Sequence, residues 1–136
     1  VPGLYAEKAG CIVVSLDTSG SMTKPQLEAV GAELEALRDE AVEMTLMVAD
    51  AQVQEVVGQD RLERFLRAGR FSGGGGTDHR PVFQWIRDAH LRPDLYVGLT
   101  DLHSRFPDRR PPYPVVWLAP EDHGKAPWGR VIEVNV

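Results

Sequence analysis

The sequence predicts a three-layer α/β fold, with a mostly parallel six-stranded sheet, one antiparallel edge strand and helices on both faces. Short β-branched apolar runs alternate with segments of helical periodicity, and this alternation is typical of parallel strands joined by helices. Two of the apolar runs are joined by a linker too short for a crossover, which predicts the antiparallel edge. Two other runs end on an aspartate, at the edge of the sheet where ligands bind in folds of this class.

Length and composition are those of one globular domain. With 136 residues, the chain can bury a sizeable core without disulfide bonds. The hydrophobic share of 43% and the charged share of 26% exclude a disordered or collagen-like chain. We therefore expect a single domain over residues 1–136. Because the sequence begins at Val1 and not at a methionine, we also expect it to be the C-terminal fragment of a longer protein.

Net charge and cysteine content limit the classes of partner and the cellular compartment that we expect for this protein. Fifteen Lys and Arg against twenty Asp and Glu give a net charge of −5, and the basic residues are spread along the chain, so we expect no nucleic-acid partner. Cys11 has no second cysteine to pair with, which favours a reducing cytoplasmic location and a thiol buried in the core. No apolar run approaches the roughly 20 residues of a membrane span, so we expect no membrane partner.

The first half of the chain is predicted to contain three strands and a helix. Residues 11–16 form a β-branched run typical of a strand buried on both faces, and this run stops at Asp17. Residues 44–49 and 53–57 form the hairpin that supplies the antiparallel edge strand. The intervening helix is indicated by apolar residues at spacings of three and four: Leu27, Val30, Leu34, Leu37 and Ala41.

The second half is predicted to contain two helices and three strands. A short helix starts near Asp60, and a glycine run at 73–76 then breaks all periodicity. Another helix starts near Pro81. A proline-rich loop covers residues 106–114. The apolar face of the helix that starts near Pro81 consists of Val82, Ile86, Ala89 and either Trp85 or Phe83, and the three strands cover residues 95–100, 115–118 and 130–136.

Three polar clusters lie where predicted strands end or a helix begins. Asp17, Ser19 and Ser21 follow the first strand, Thr77 precedes a helix, and Asp101 follows a later strand. Because these positions can converge on one edge of the sheet, their two carboxylates and three hydroxyls can form one site. Such hard oxygen ligands are preferred by Mg²⁺, whereas zinc prefers nitrogen or sulfur. The sequence therefore predicts a Mg²⁺ site, with Mn²⁺ or Ca²⁺ as alternative ions.

The run Asp-Thr-Ser-Gly-Ser at residues 17–21 resembles the D-x-S-x-S motif of von Willebrand factor A (VWA) domains that carry a metal-ion-dependent adhesion site (MIDAS). The resemblance covers nearly the whole chain and implies a Rossmann-like VWA fold. It implies direct coordination of the ion by Ser19, Ser21 and Thr77, with Asp17 and Asp101 binding directly or through water. It also implies that an acidic residue of a partner protein completes the coordination.

A finer resemblance is to the VWA-like domain at the C-terminus of bacterial metallopeptidase-like proteins, which are often encoded near MoxR-type AAA+ ATPases. The matching segments are residues 73–78, 81–85, 106–107 and 127–129. In two respects the sequence departs from this pattern: Leu102 stands where a glycine usually follows the aspartate, and the H-E-x-x-H zinc motif is absent. We therefore expect an adaptor for a MoxR-type AAA+ ATPase, with any peptidase activity residing outside this chain.

We expect a binding module and not an enzyme. The main alternative is a Mg²⁺-dependent phosphohydrolase of the haloacid-dehalogenase type, with Asp17 as nucleophile and Asp101 as metal ligand. Such an enzyme needs a second carboxylate where this chain has Ser19. A serine hydrolase would need a G-x-S-x-G elbow, which the sequence around Ser19 does not supply. A nucleotide-binding loop would need Gly-Lys-Ser/Thr at the end of the glycine run.

Three further residues lie close to the predicted ligands in sequence. His79 and His103 each follow a predicted ligand by two positions, but neither has a histidine partner at zinc spacing. We expect both to be rim or structural residues. Asp78 precedes a predicted helix, where an acidic side chain is favoured by the helix dipole, so we expect it to be a helix N-terminal charge.

Overall fold

A computed structural model describes residues 9–17, 32, 36, 41–49, 53–58, 78–119 and 121–133. Within these residues, six strands form one sheet in the order β3-β2-β1-β4-β5-β6. The strands are β1 (Ala9–Asp17), β2 (Ala41–Ala49), β3 (Val53–Val57), β4 (Leu95–Leu99), β5 (Val115–Ala119) and β6 (Arg130–Glu133).

The sheet is mostly parallel, as predicted. β1 lies in the middle and pairs in parallel with both β2 and β4, with Leu16 opposite Val48 on one side and opposite Leu99 on the other. β5 continues the parallel pairing from β4, and β6 from β5. β2 and β3 are antiparallel, with a register irregularity between Val48 and Ala49, which confirms the predicted edge hairpin. The strand order reverses between β1 and β4, the neighbours at which ligand sites form in open α/β sheets.

Both faces of the sheet are buried, as the β-branched composition of β1 predicts. Successive side chains of a strand point to opposite faces, so Ile12 and Val14 lie in one cluster while Val13 lies in the other. Fully buried β2 residues join both clusters, with Met44 in the first and Met47 in the second. The second cluster is completed by the aromatic side chains of β4 and β5 and by the helix that follows residue 79.

That helix, α1 (Arg80–Asp88), begins with Pro81 in its first turn, where the missing N–H of proline costs no hydrogen bond. Its buried side chains are Val82, Phe83 and Ile86, whereas Trp85 is only half-buried. Spacing alone allowed either aromatic residue to face the core, and the structure selects Phe83. Ala89 was expected on the same face, but it lies past the last helical residue and is exposed.

Other predictions for the first half are corrected by the pairing of β1 with β2. Ala41 was expected on the apolar face of a helix, but it begins β2 because it pairs with Ala9 in the parallel ladder. Ala32 and Ala36 are helical and exposed, at positions that the predicted apolar face leaves free.

Cys11 was expected to be buried in the core, but it is only half-buried and packs against the second core cluster. Burial raises the pKa of its thiol, and the charges of Glu43 and Asp94 add to this rise.

Further predicted features differ slightly or lie outside the described residues. β4 ends at Leu99, one residue before the predicted end, and β5 extends to Ala119. β6 is described to Glu133, and residues 134–136 lie outside the described part. The helix predicted from Asp60, the apolar positions 27, 30, 34 and 37, and the glycine run at 73–76 also lie outside it. Among the described residues, no helix is long and apolar enough to cross a membrane.

Candidate metal centre

The two carboxylates of the predicted metal site lie at the ends of neighbouring strands. Asp17 is the last residue of β1, and Asp101 follows the end of β4 by two residues. Since β1 and β4 are parallel neighbours and Leu16 is opposite Leu99, both aspartates lie at the same edge of the sheet. Asp17 is 7% exposed and Asp101 is half-buried. This is the edge at which the sequence predicts the ion to bind.

Thr100, which is buried between β4 and Asp101, connects the two aspartates. Its hydroxyl donates a hydrogen bond of 2.6 Å to Oδ2 of Asp17 and accepts one of 3.1 Å from the backbone N–H of Leu102. A bond of this kind to a carboxylate is stronger than one between neutral groups, so Thr100 fixes the orientation of Asp17. The same hydroxyl therefore orients the first carboxylate and shapes the loop that carries the second.

The loop after β4 turns through a left-handed residue. Leu102 has a φ of +68°, a region that costs non-glycine residues about 1–2 kcal/mol. Its side chain is nevertheless 2% exposed and belongs to the second core cluster. The chain thus keeps a left-handed turn at position 102 although it has a leucine where the similar VWA-like domains usually have a glycine. Burial of the leucine side chain offsets the conformational cost of this turn.

Asp101 accepts hydrogen bonds from two other residues. The Oδ1 atom of its side chain accepts a 3.0 Å bond from the N–H of His103, and its backbone carbonyl accepts a 2.8 Å bond from the N–H of Gly124. A Cβ atom at Gly124 would lie 2.9 Å from the carbonyl oxygen of Leu102. The segment around Gly124 can therefore approach the Asp101 loop this closely only with a glycine at position 124. The Asp101 side chain remains half-buried at the edge of the sheet.

His79 ties the segment that follows Thr77 to the segment that follows Asp101. Its backbone N–H donates a 2.8 Å bond to the carbonyl of Arg105, and Nδ1 of its ring contacts the hydroxyl of Ser104. The Ser104 hydroxyl donates its own proton to the Arg105 carbonyl at 3.0 Å. The Ser104 oxygen is then the acceptor, which assigns the ring proton to Nδ1.

Burial and nearby charges change the pKa of His79 in opposite directions. The side chain is buried, and burial lowers the pKa of His79 below its ordinary value. The charges of Asp17, Asp78 and Asp101 act in the opposite direction. Because desolvation outweighs these charges, the ring is held neutral. The described contacts of the ring are with Ser104, Phe106 and Trp117, as a structural residue would have.

An aromatic cluster supports this arrangement from the core side. The ring of His79 stacks on Phe106 at a centroid distance of 5.1 Å and meets Trp117 edge-on at 5.2 Å. The Trp117 indole N–H donates to the carbonyl of Trp128 at 3.0 Å, and the Trp128 indole N–H donates to Pro107 at the same distance. The segments 106–107 and 127–129, noted for their resemblance to one VWA subfamily, thus act as supports for the predicted site.

The remaining acidic and histidine residues near this edge have other contacts. Asp78 accepts a 2.9 Å bond from the N–H of Arg80 and forms a 2.7 Å ion pair with its guanidinium, and these contacts lower the pKa of the Asp78 carboxyl. Asp78 directly precedes the N-cap residue His79, close to the helix start where it was expected, and its charge is paired with Arg80. His103 is exposed, and His123 contacts Gly124 and Glu133.

Only part of the predicted ligand set can be located. Ser19, Ser21 and Thr77 lie outside the described residues, although Asp78, the residue after Thr77, is at the site edge. No group of three or more His, Cys, Asp or Glu side chains that could hold a metal is found in the described part. The predicted set contains only two carboxylates and takes its other ligands from hydroxyls.

Sequence analysis missed the contributions of Thr100 and Ser104. Both act through partners that are distant in the chain or belong to another segment, so no local pattern reveals them. A weak signal was available for Thr100, because a hydroxyl residue directly before an aspartate at a strand end is well placed to contact the neighbouring strand. Ser104 has no comparable signal.

The chain was compared with known families. The family model of the VWA-like domain (DUF2201) matches residues 12–135, almost the whole chain. The chain belongs to this family. No curated protein matched the chain. The sheet of this VWA-like domain, with its parallel strands and one antiparallel edge strand, has the α/β architecture that the sequence predicts.

Proposed function

We propose that this VWA-like domain is a metal-dependent protein-binding module in which Asp17, Ser19, Ser21, Thr77 and Asp101 hold Mg²⁺ and a partner's acidic residue completes the coordination. The observation that carries this proposal is the placement of Asp17 and Asp101 at one edge of the sheet, on neighbouring strands, with Thr100 orienting Asp17. The order of the three clusters along the chain is the order that the MIDAS resemblance requires.

The donor set fits a hard divalent cation. Every proposed ligand atom is an oxygen, and Nδ1 of the buried His79 ring contacts the hydroxyl of Ser104. Bound Mg²⁺ supplies a positive centre that attracts a carboxylate to a domain of net charge −5. Mn²⁺ and Ca²⁺ are alternative ions for the same oxygen set.

We propose a MoxR-type AAA+ ATPase, or an assembly containing one, as the partner in the cytoplasm, with this domain as an adaptor. The support is the resemblance of residues 73–78, 81–85, 106–107 and 127–129 to one VWA subfamily. A pull-down from the source cell with and without Mg²⁺ tests the partner. Recovery of the ATPase only with Mg²⁺ is expected, and failure to recover it in either condition contradicts this assignment.

Thr77→Ala is the sharpest test of the metal-dependent interaction, because it removes one hydroxyl without changing charge. We expect calorimetry against the ATPase to show that binding is lost in Thr77→Ala, in Asp101→Ala and in wild type with EDTA, while circular dichroism shows an intact fold. If Thr77 only capped a helix, the substitution would cost about 1 kcal/mol of stability and leave binding intact. Equal affinities with Mg²⁺, with EDTA and in the variant would contradict the proposal.

The binding-module proposal also requires that the isolated domain has no hydrolytic turnover. Asp17 at the end of the first strand would also suit a phosphohydrolase nucleophile, but the position two residues later is Ser19. Incubation with p-nitrophenyl phosphate and Mg²⁺ is expected to give no product above the buffer control. Mg²⁺-dependent release of p-nitrophenol that Asp17→Asn abolishes would replace the binding module by an enzyme.

A further inference from the structure

An open groove of about 540 Å³ lies on the α1 side of the sheet, between this helix and the proline-rich loop. Its position follows from the chain path. Residues 91–93 lead into the start of β4, and residues 109–113 lead into the start of β5. Since β4 and β5 are parallel, both of these segments lie at the amino edge of the sheet. The groove is thus at the opposite edge from Asp17 and Asp101.

The groove has an apolar floor and a cationic rim. The floor is formed by proline, aliphatic and aromatic side chains, and Tyr113 is half-buried in it. Burial raises the pKa of Tyr113 to about 12, while Arg87 acts in the opposite direction, so a guanidinium lies near this ring. The rim consists of four exposed arginines, and no acidic residue is among the described lining residues: Arg87, Arg92, Arg109 and Arg110.

This concentration of positive charge contrasts with the whole chain. The sequence carries five more acidic than basic residues, yet the groove has only arginines among its charged lining residues in the described part. Among the described acidic side chains next to the rim in sequence, Asp88 accepts a 2.9 Å bond from Gln84, and Asp94 accepts one of 2.9 Å from the N–H of Cys11. Asp108, which precedes Arg109, is exposed, and its charge acts on Arg80 of α1. Arg87 donates a hydrogen bond to the side-chain oxygen of Gln84, so the exposed Arg92, Arg109 and Arg110 are the rim arginines that remain open to an anionic partner.

We propose that this groove binds an acidic peptide segment of a partner protein, in which carboxylates flank an apolar side chain. The groove is lined by arginines and by no described acidic side chain, and an arginine can bind a carboxylate with two hydrogen bonds. The proline and tyrosine floor matches one apolar anchor. A single phosphate group fits less well, because it supplies no apolar side chain for the proline and tyrosine floor.

This site goes beyond the proposed metal-dependent interaction and requires no ion. The probe for its test is a fluorescein-labelled peptide with glutamates on both sides of a central leucine, titrated with the full chain and followed by fluorescence anisotropy. The matched peptide carries glutamines in place of glutamates. We expect measurable binding of the glutamate peptide only, unchanged by EDTA, and weakened when sodium chloride is raised from about 0.05 M to about 0.5 M.

Charge reversal locates the site on the protein. The double variant Arg109→Glu/Arg110→Glu is expected to weaken binding by about tenfold or more. The control Lys125→Glu/Arg130→Glu has the same charge change at exposed positions outside the groove, and it is expected to retain most of the affinity. Circular dichroism of both variants checks the fold.

Four outcomes would overturn the proposal. They are no binding of the glutamate peptide, equal binding of the glutamine peptide, equal weakening by both double variants, and loss of peptide binding on EDTA treatment. Competition by ATP or inorganic phosphate at concentrations well below those of free glutamate would assign the groove to a phosphate ligand instead. Because the expected binding persists in EDTA, this test and the Thr77→Ala test can fail independently.

Discussion

At the scale of single residues, the loop that carries Asp101 depends on two unusual backbone positions. Gly124 has no space for a Cβ atom beside the Leu102 carbonyl, and Leu102 itself lies in the left-handed region. A leucine is retained at such a position only if its side chain gains more from burial than the backbone loses. Leu102 satisfies this condition, since its side chain is 2% exposed.

Substitutions at position 102 can therefore measure the contribution of side-chain burial and the cost of the left-handed backbone separately. Leu102→Ala removes the buried side chain but keeps the strained φ, and we expect it to lower the free energy of unfolding by about 2–5 kcal/mol. Leu102→Gly loses the same side chain but adopts the positive φ without strain, so we expect it to be about 1 kcal/mol more stable than Leu102→Ala. Urea denaturation measures both. A glycine variant less stable than the alanine variant would contradict the assigned backbone conformation.

His123 connects the segment that supports Asp101 to β6. Its ring contacts the carbonyl of Gly124 and lies 3.2 Å from Glu133. The hydrogen bond to Gly124 and, after it, the contact with Glu133 raise the pKa of His123 above its ordinary value. A raised pKa in the folded state means that this contact stabilises the fold fully below the ordinary histidine pKa of about 6.5 and is lost as the pH rises through the raised value.

An NMR titration tests this link. We expect the His123 ring signals to titrate with a midpoint above that of an unstructured histidine peptide. Glu133→Gln is expected to shift the midpoint downward but not fully to the peptide value, because the hydrogen bond to Gly124 remains. The unstructured histidine peptide, measured in the same buffer, serves as the control for both proteins. An unchanged His123 midpoint in Glu133→Gln would show that the ion pair is absent in solution.

At the scale of elements, the predicted site is held by contacts between strands and loops that are far apart in sequence. β4 and β5 illustrate this, because Gly98 lies directly opposite Trp117 in the parallel ladder. A Cβ atom at Gly98 would lie 2.4 Å from two ring carbons of Trp117. The glycine thus allows the indole ring to lie flat against β4, from where it reaches His79 and Phe106.

Gly98→Ala is expected to destabilise the domain by about 1–3 kcal/mol, because the overpacked indole ring must move. A phenylalanine at position 117 lacks the two indole ring carbons that a Cβ atom at position 98 would meet. In a Trp117→Phe background, we therefore expect Gly98→Ala to lower the free energy of unfolding by less. Urea denaturation of the wild type, both single variants and the double variant forms a double-mutant cycle. Additive costs would show that Gly98 is not needed for the Trp117 packing.

At the scale of the whole molecule, local patterns predicted the strands and the ends of the strands, but not the contacts between them. The apolar runs and the short linker at residues 50–52 were sufficient for the sheet and its hairpin. Ala41 was misassigned because helical spacing continued into a strand, whose start is determined by pairing with Ala9. The Thr100–Asp17 bond joins residues 83 positions apart, and no local window contains both.

The choice between Phe83 and Trp85 for the core likewise depends on packing and not on a local sequence pattern. Helical periodicity places both near one face, and only packing against Tyr96, at a ring distance of 4.6 Å, selects Phe83 for the core. Asp17 and Asp101 were found from sequence because their positions depend on where two strands end. Their orientation was not, because it depends on Thr100 and His103 in the loop after β4 and on Gly124 in a separate segment.

Metal binding at the proposed site has a consequence for the stability of the whole chain. An ion that binds only the folded state raises the free energy of unfolding by RT ln(1 + [ion]/Kd), about 1.4 kcal/mol at ten times the dissociation constant. For a domain of 136 residues, this corresponds to a rise in Tm of about 4–6 °C. The proposed ligands come from three segments of the chain, so one ion bound by all of them would link separate loops.

A thermal-unfolding series tests this consequence without any partner protein. We expect Tm to rise with MgCl₂ concentration, to stay constant in NaCl of the same ionic strength, and to fall back on addition of EDTA. Asp101→Asn is expected to abolish the rise because it removes a ligand charge, whereas Asp108→Asn, the same substitution at an exposed residue of the proline-rich loop, is expected to retain it. A rise of equal size in both variants would assign the Mg²⁺ effect to the surface of the protein, since only one of the two carboxylates lies at the edge of the sheet where β1 and β4 end.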